Sequence, residues 1–463
     1  MRNTRTALIV GSVLSLGLLT GCGGDDEPAA ADATGSTSPH ASGTAAKPLT
    51  YPGEPIPGLS AKPAWSVARK PGTGRQCAGD ASLPSNRQGQ DGVCTVGDAF
   101  LLVEDLSPRV EEGEADPQTA HFVGHLYDAA TGEERKAFTV ECVYDPSVSD
   151  APRHDMQVQV GAWKDGSPAV LVRDCENTEA SGLKKAAVKT VYTMYAPSGA
   201  KLGSSTYTDE EHAALPVIRG HVLLPGGQGD DERTLAPIGG GKNLVLPAKL
   251  AEAAPLGAGQ GYGTEGDGRN EPVAVIDRGT GRRLWTTTDL TPPKDVVAQI
   301  KDDEEPDAEL YPLHGDQGVL VWSASGSNDA VITTVDLRTG ATVAVGPRTT
   351  VKEFDQVAVP IVSPDGTTAV VDFAGEAVAW NTRTGAELWR QKADEKEIRP
   401  VAVTTGGVLF AELESDQGAL SMETKSLVGL LPQGTNAPTQ FTTDGYTLIP
   451  GDGALFAFRA AKA

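Results

Sequence analysis

The sequence predicts an all-β fold of many short antiparallel strands. Three observations carry that reading. From about residue 60 onward the apolar runs are short, often β-branched and bounded by Gly, Pro, Asp and Asn, as at Ala99–Glu104, Ala169–Arg173, Val188–Tyr195, Val222–Pro225, Val273–Asp277 and Gly407–Leu413. Helical periodicity is nearly absent, and only Lys249–Ala254 and Asp295–Lys301 read as short helical turns. One unit also repeats: Val273-Ala-Val-Ile-Asp-Arg-Gly-Thr-Gly-Arg-Arg-Leu-Trp285 returns as Ala377-Val-Ala-Trp-Asn-Thr-Arg-Thr-Gly-Ala-Glu-Leu-Trp389.

The chain opens on a different kind of segment. Arg2 and Arg5 precede an apolar run, Ala7–Leu19, broken only by Gly11, Ser12, Ser15 and Gly17. That run is shorter than the roughly 20 apolar residues a membrane span needs and matches an export signal. It closes on Leu19-Thr20-Gly21-Cys22. These four residues resemble a bacterial lipoprotein signal, which implies that Cys22 is lipidated and becomes the N-terminus. The expected localisation is therefore extracytoplasmic, lipid-anchored to the cell membrane. Residues 1–21 form the signal peptide on this reading.

Residues 22–60 are mostly Gly, Ala, Ser, Thr, Pro and Asp. Such a composition buries too little apolar surface to fold, so a disordered tether is expected there. Residues 61–463 remain for the folded part. The whole chain carries a formal charge of −23. Loss of Arg2 and Arg5 with the signal would leave −25. Phosphate backbones and anionic lipid headgroups both require a basic face, so no nucleic-acid partner is expected and the membrane is reached through the lipid alone. Beside Cys22 there are four cysteines: Cys77, Cys94, Cys142 and Cys175. An even number in an exported chain points to two disulfides. Cys77–Cys94 and Cys142–Cys175 are preferred among the three pairings because both close modest loops.

The repeat has a mechanical reading. An apolar strand ends at Asp or Asn, a Thr-Gly turn follows, and the chain returns as a second strand that ends in Trp. Weaker copies lie at Val331-Ile-Thr-Thr-Val-Asp-Leu-Arg-Thr-Gly340 and Gly124-His-Leu-Tyr-Asp-Ala-Ala-Thr-Gly132, with degenerate ones at Val191–Leu202 and Ala419–Val428. The pattern resembles the Asp-x-x-Thr-Gly-x-x-x-Trp signature of PQQ-like (quinoprotein-type) β-propellers. That resemblance implies a propeller of four-stranded antiparallel blades over 61–463. A blade takes roughly 40–45 residues. The turn positions Asp128, Pro197, Asp277, Asp336, Asn381 and Glu423 mark six units. A last one is expected from Tyr446–Ile449 and Ala454–Phe458, closed by the N-terminal strand Ala64–Val67. The expected count is seven blades, or eight if residues 213–272 hold a further degenerate blade around Leu244–Leu246.

Quinone enzymes of this family need calcium ligands, a catalytic carboxylate and a stacking platform. That set cannot be assembled from this sequence, so no cofactor is expected. Among the histidines His40, His121, His125, His154, His212, His221 and His314, only His121 and His125 share a short spacing. Four residues along a strand separate them by about 13 Å, too far for a zinc pair. The acidic clusters Glu111–Asp116, Asp230–Glu232, Asp302–Asp307 and Asp394–Glu397 lack the spacing of a calcium loop. Neither a Gly-x-Ser-x-Gly elbow nor a phosphate loop is present. No catalytic, cofactor-binding or metal residue is assigned, and the chain is not expected to be an enzyme. The resemblance to lipid-anchored propellers implies a scaffold that binds an envelope protein. The alternatives are an extracytoplasmic dehydrogenase or lyase with its site in the channel, and a ligand-sensing ectodomain.

Overall fold

The computed structural model describes residues 49–70, 72–74, 77, 92–107, 119–143, 158–178, 187–208, 217–224, 232–247, 254–256, 260–264, 272–277, 280–300, 306–313, 315–324, 327–350, 359–373 and 375–462. The signal peptide, the tether up to residue 48 and Cys22 lie outside them. The described residues form eight antiparallel sheets in succession, seven of four strands and one of three. We number them as blades: blade 1 spans 93–143, blade 2 158–208, blade 3 217–247, blade 4 254–286, blade 5 306–350, blade 6 361–390 and blade 7 398–430. Within each, the strands pair in sequence order, innermost first. Blade 8 consists of Tyr446–Gly451 and Ala454–Arg459 and is completed by Trp65–Ala68 from the other end of the chain. The closing strand pairs in the register Trp65↔Ala457, Ser66↔Phe456, Val67↔Leu455, Ala68↔Ala454. Closure removes the sheet edge that an open array would leave.

The core lies between facing blades. Val319, Val321 and Ile332 of blade 5 pack against Val371, Phe373 and Trp380 of blade 6, and Leu409, Ala411 and Leu420 of blade 7 lie against Val370 and Ala379. Strands buried on both faces read as continuous apolar runs, which explains Val273–Asp277 and Ala377–Asn381.

The repeat signature is a plug and a socket. In the socket, Asp128 Oδ1 accepts from the backbone N–H groups of Ala130 and Thr131 and from the Thr131 hydroxyl, while Gly132 N–H donates to Asp128 O. Asp336 with Thr339 and Gly340 repeats this, and Asn381 with Thr384 and Gly385 repeats its backbone part. The turn glycine adopts positive φ, 73° at Gly132, Gly340 and Gly385. The plug is the Trp on the outer strand of the preceding blade. Its indole N–H donates to the carbonyl of the residue after the Asp position: Trp65 to Ala129, Trp285 to Leu337, Trp389 to Met422, each at 2.8 Å. Each ring occupies the space beside the turn; a Cβ at Gly132 would come within 2.6 Å of Trp65, and one at Gly340 within 3.1 Å of Trp285. One hairpin thus carries the socket for the blade before it and the plug for the blade after it.

Three expectations change. The count is eight rather than the favoured seven, because residues 217–247 form a blade of their own that includes the strand Leu244–Pro247. Its turn uses Gly239, Gly240 and Gly241, all at positive φ, and has no Asp or Thr to mark it. In blade 7 the Asp position is Ser421, not Glu423. Ser421 Oγ accepts from Thr424 N–H, and Lys425, at φ 59°, stands where glycine stands elsewhere. The folded part also starts before residue 61. Ile56 and Leu59 are buried with Val408, Phe410 and Phe456, and Tyr51 packs edge-on against Phe456 and Phe458. Leu59 and Ala460 form a β-bridge, and Ala461 N–H donates to Gly58 O. This segment does at blade 8 what a third-to-fourth-strand turn does elsewhere. The helical turn near Asp295 is present as Lys294–Val297. Residues 249–253 lie outside the described residues.

Candidate functional site

An antiparallel meander places its first-to-second and third-to-fourth strand turns at one end of every blade. The second-to-third and blade-to-blade connections lie at the other end. The two ends differ in length and charge. At the first end no turn exceeds six residues, the longest being 238–243. At the second end the connections include 69–92, 106–118, 144–157 and 287–305. By sequence, the connections of that end hold 33 acidic and 15 basic residues, a formal balance of −18. The turns of the short end hold seven of each sign. Counted by sequence, most of the chain's excess of negative charge therefore falls in the connections that join strands at the second end; a concentration of one sign favours cationic partners. Of the four acidic clusters, Glu111–Asp116 and most of Asp230–Glu232 and Asp302–Asp307 lie outside the described residues. Asp394–Glu397 is in view: Glu395 pairs with Lys425, Lys396 lies 3.9 Å from Glu414 and Asp416, and Glu397 is 2.9 Å from Arg399.

The channel contains a cavity of about 350 Å³. Its wall comes from the inner strands of blades 1, 2, 6 and 7, the chain leading into blade 8, and Leu313 at the end of blade 5's inner strand. Gly97, Gly166 and Ser363 belong to first-to-second turns, so the cavity sits toward the short-turn end. Among the described residues its lining contains no Asp, Glu, His, Lys or Arg. Also among the described residues, no group of three His, Cys, Asp or Glu side chains is placed to hold a metal ion.

Disulfide bonding joins Cys77 to Cys94. Both are buried, Cys94 lines the cavity, and Cys77 O accepts from Val160 N–H of blade 2. The bridge ties the 69–92 connection to the inner strand of blade 1. Cys175 is also disulfide-bonded, while the Cys142 side chain lies outside the described residues. His121 and His125 share the strand Thr119–Asp128 but pair with Glu141 and Ala137. His125 Nδ1 lies 3.5 Å from Glu134, and its ring stacks on Tyr127. Burial, with Glu134 and Glu104 nearby, pushes the Tyr127 phenol up to about 12. His221 Nδ1 lies 2.7 Å from the Arg219 carbonyl oxygen.

Sequence reasoning missed one charged cluster. Arg135 on blade 1's outer strand holds Asp98 at 2.8 Å, Asp128 at 2.6 Å and the Pro197 carbonyl of blade 2 at 3.0 Å. Bonding to Arg135 lowers Asp98 below its ordinary range. Burial alone would raise Asp128, but the Thr131 N–H, Arg135 and the Thr131 hydroxyl together bring it down to about 2. The signal was present in the sequence: Arg135 is seven residues after the Asp of its own turn, near where other copies carry Trp.

The sequence matches no protein-family model and no curated protein. Solved structures similar to the chain include BamB from Moraxella catarrhalis, at 13% identity and TM-score 0.35, covering 79% of this chain and 95% of that one. Another is the C-terminal WD40 domain of Sif2, at 9% identity and TM-score 0.29, covering 77% and 80%. Likenesses this loose carry nothing about function, and the propeller architecture rests on the blade topology itself. Among the described residues, no helix is long and apolar enough to cross a membrane.

Proposed function

We propose that this chain is an extracytoplasmic lipoprotein, anchored to the cell membrane through lipid on Cys22, whose propeller is a non-catalytic scaffold for an envelope protein. One observation carries the reading: the two ends of the ring are unlike. Eight sheets locked by short neutral turns at one end support long, strongly acidic connections at the other. Rigid scaffolds that present variable connections on one side use that side for recognition. The acidity favours a partner with a basic surface and speeds its encounter at low salt.

Reversible cross-linking of the displayed protein, followed by mass spectrometry of what is captured, tests the reading. The same envelope protein should be captured from replicate cultures. Capture should weaken when Asp302, Asp303, Glu304 and Glu305 are changed to Lys, and persist when the short-turn residues Arg338 and Arg383 are changed to Glu. The opposite pattern would place recognition at the neutral end and overturn the reading. Cys22→Ala should move the protein from the membrane fraction to the soluble one; unchanged fractionation would remove the anchor.

A further inference from the structure

The channel cavity is unlike the acidic end, and it is the size of a ligand site. We infer that it binds an uncharged, largely apolar small molecule of about two to three rings, entering from the short-turn end. Volume comes first. An apolar cavity of about 150 Å³ accommodates benzene; this one offers about 350 Å³ and falls within the range of small-molecule pockets, about 300–1,000 Å³.

The wall decides the chemical class. Val160, Ile361, Val403 and Phe441 present apolar surface to the cavity. Thr95, Gln440 and Ser363 in the wall already have hydrogen-bond partners. The Thr95 N–H and hydroxyl both donate to Gln440 Oε1. Ser363 Oγ donates to Asp365 and accepts from Thr368 N–H. The inner strands of blades 1, 2, 6 and 7 have sheet neighbours on their outer side only, so beside the Thr95 and Val160 N–H groups, which bond Gln440 and Cys77, their channel edges carry neutral backbone donors and acceptors. A ligand with one N–H or carbonyl can bond there. A charged ligand would leave water for a wall with no counter-charge among the described residues, which is strongly unfavourable. The short-turn end, with equal numbers of acidic and basic residues in its turns, sets up no net field against a neutral molecule. This site is separate from the acidic end proposed for the protein partner, and either can fail without the other.

Two dyes that share their rings separate the outcomes. N-phenyl-1-naphthylamine is neutral, and 1-anilinonaphthalene-8-sulfonate is the same skeleton with a fixed negative charge. Both are titrated into the Cys22→Ala chain, which carries no lipid and needs no detergent, and fluorescence is followed. The neutral dye should bind saturably at one per chain and the sulfonate at least ~10-fold more weakly, a factor of ten being 1.4 kcal/mol. Ala162→Trp and Val401→Trp each place a large side chain in the cavity. Either variant that retains its melting midpoint should weaken the neutral dye ~10-fold or more. Failure of the neutral dye to bind, equal affinity for both dyes, or unchanged binding in the folded filled variants would overturn the proposal.

Discussion

Three ways of joining blades coexist in this ring. Between blades 4 and 5, and again between blades 6 and 7, a buried tryptophan crosses the seam and donates to the next turn. Between blades 1 and 2 an arginine does so, reaching the Pro197 carbonyl while held by Asp98 and Asp128. Between blades 5 and 6 neither reaches the turn: Arg390 reaches back to the Arg348 carbonyl instead, and the Gly385 turn lies directly against the Val345 backbone. In the tryptophan and arginine seams the acceptor is a turn carbonyl each time, while the plug changes chemistry. An apolar ring gives most of its stabilisation through burial and is indifferent to pH. A charged plug depends on its partners remaining ionised. A backbone contact depends on the absence of a side chain.

The largest effect should come from removing a plug. Trp285 and Trp389 are 4% and 7% exposed. Trp389→Ala should destabilise the protein by about 3–5 kcal/mol through lost burial and the cavity left behind. Trp389→Phe retains much of the ring and loses the bond to Met422 O, which should cost about 1 kcal/mol for the missing partner together with a smaller packing loss. Urea unfolding of both variants separates burial from hydrogen bonding. Equal losses would mean that the hydrogen bond, not the ring, makes the seam.

Gly385 comes next. A Cβ there would lie 1.9 Å from Val345 O, at φ 73°. Gly375 has φ 93° with nothing within 4 Å. Gly375→Ala therefore isolates the backbone term, about 1–2 kcal/mol. Gly385→Ala adds a collision that only displacement of the neighbouring blade can relieve, and should lower stability by about 3 kcal/mol or more, strain and lost seam packing together. If the two variants melt alike, blades 5 and 6 are not held in contact at that turn.

The arginine seam should announce itself in acid. The Asp128 carboxyl lies near 2 in the folded protein against 3.8 ordinarily. A folded value below the unfolded one gives stability that is present above about pH 4 and lost as pH falls toward 2. Asp128→Asn should reduce the fall of the thermal midpoint across that window, leaving the part carried by Asp98. Asn381 occupies the same position in blade 6 and supports the same turn from Arg383 and Thr384 N–H without titrating. A wild-type midpoint that stays level between pH 4 and 2 would remove the charged seam from the comparison.

How much could be read from the sequence follows from which plugs and sockets it spells. Asp277, Asp336 and Asn381 with Thr-Gly, and Trp65 as the closing strand, were legible because those residue types have few other reasons to stand at that spacing. The expected strand Val273–Asp277 matches the observed one, and Ala99–Glu104 is one residue short of Ala99–Asp105. The blade over 217–247 reads only as an alternative in the sequence because a glycine-only turn carries no mark beyond flexibility. Tyr51, Ile56 and Leu59 were placed in the tether because composition averages over a window, while burial depends on three side chains. The cavity was not legible at all. Its wall is drawn from residues such as Thr95, Val160, Ile361 and Val403 that lie far apart in sequence and are common in any strand.

The smallest effect concerns the socket that was misread by two residues. Lys425 takes the left-handed backbone that glycine takes in the other turns, at φ 59°. Glycine would relieve about 1 kcal/mol of strain there. The Lys425 side chain, however, caps the Arg390 carbonyl at 2.9 Å and pairs with Glu395, whose carboxyl it lowers below the ordinary range. A partly exposed pair of this kind contributes about 0.2–1 kcal/mol. Lys425→Gly should therefore change stability by no more than about 0.5 kcal/mol, as the two terms offset. Lys425→Ala keeps the strain, loses the pair and should fall below both the parent and the glycine variant. Should Lys425→Gly instead be clearly less stable than the parent, the lost Lys425 contacts to the Arg390 carbonyl and Glu395 would outweigh the relieved strain, the lysine would be acting as a plug of its seam, and blade 7 would belong with blade 1 rather than with blade 5 in the comparison.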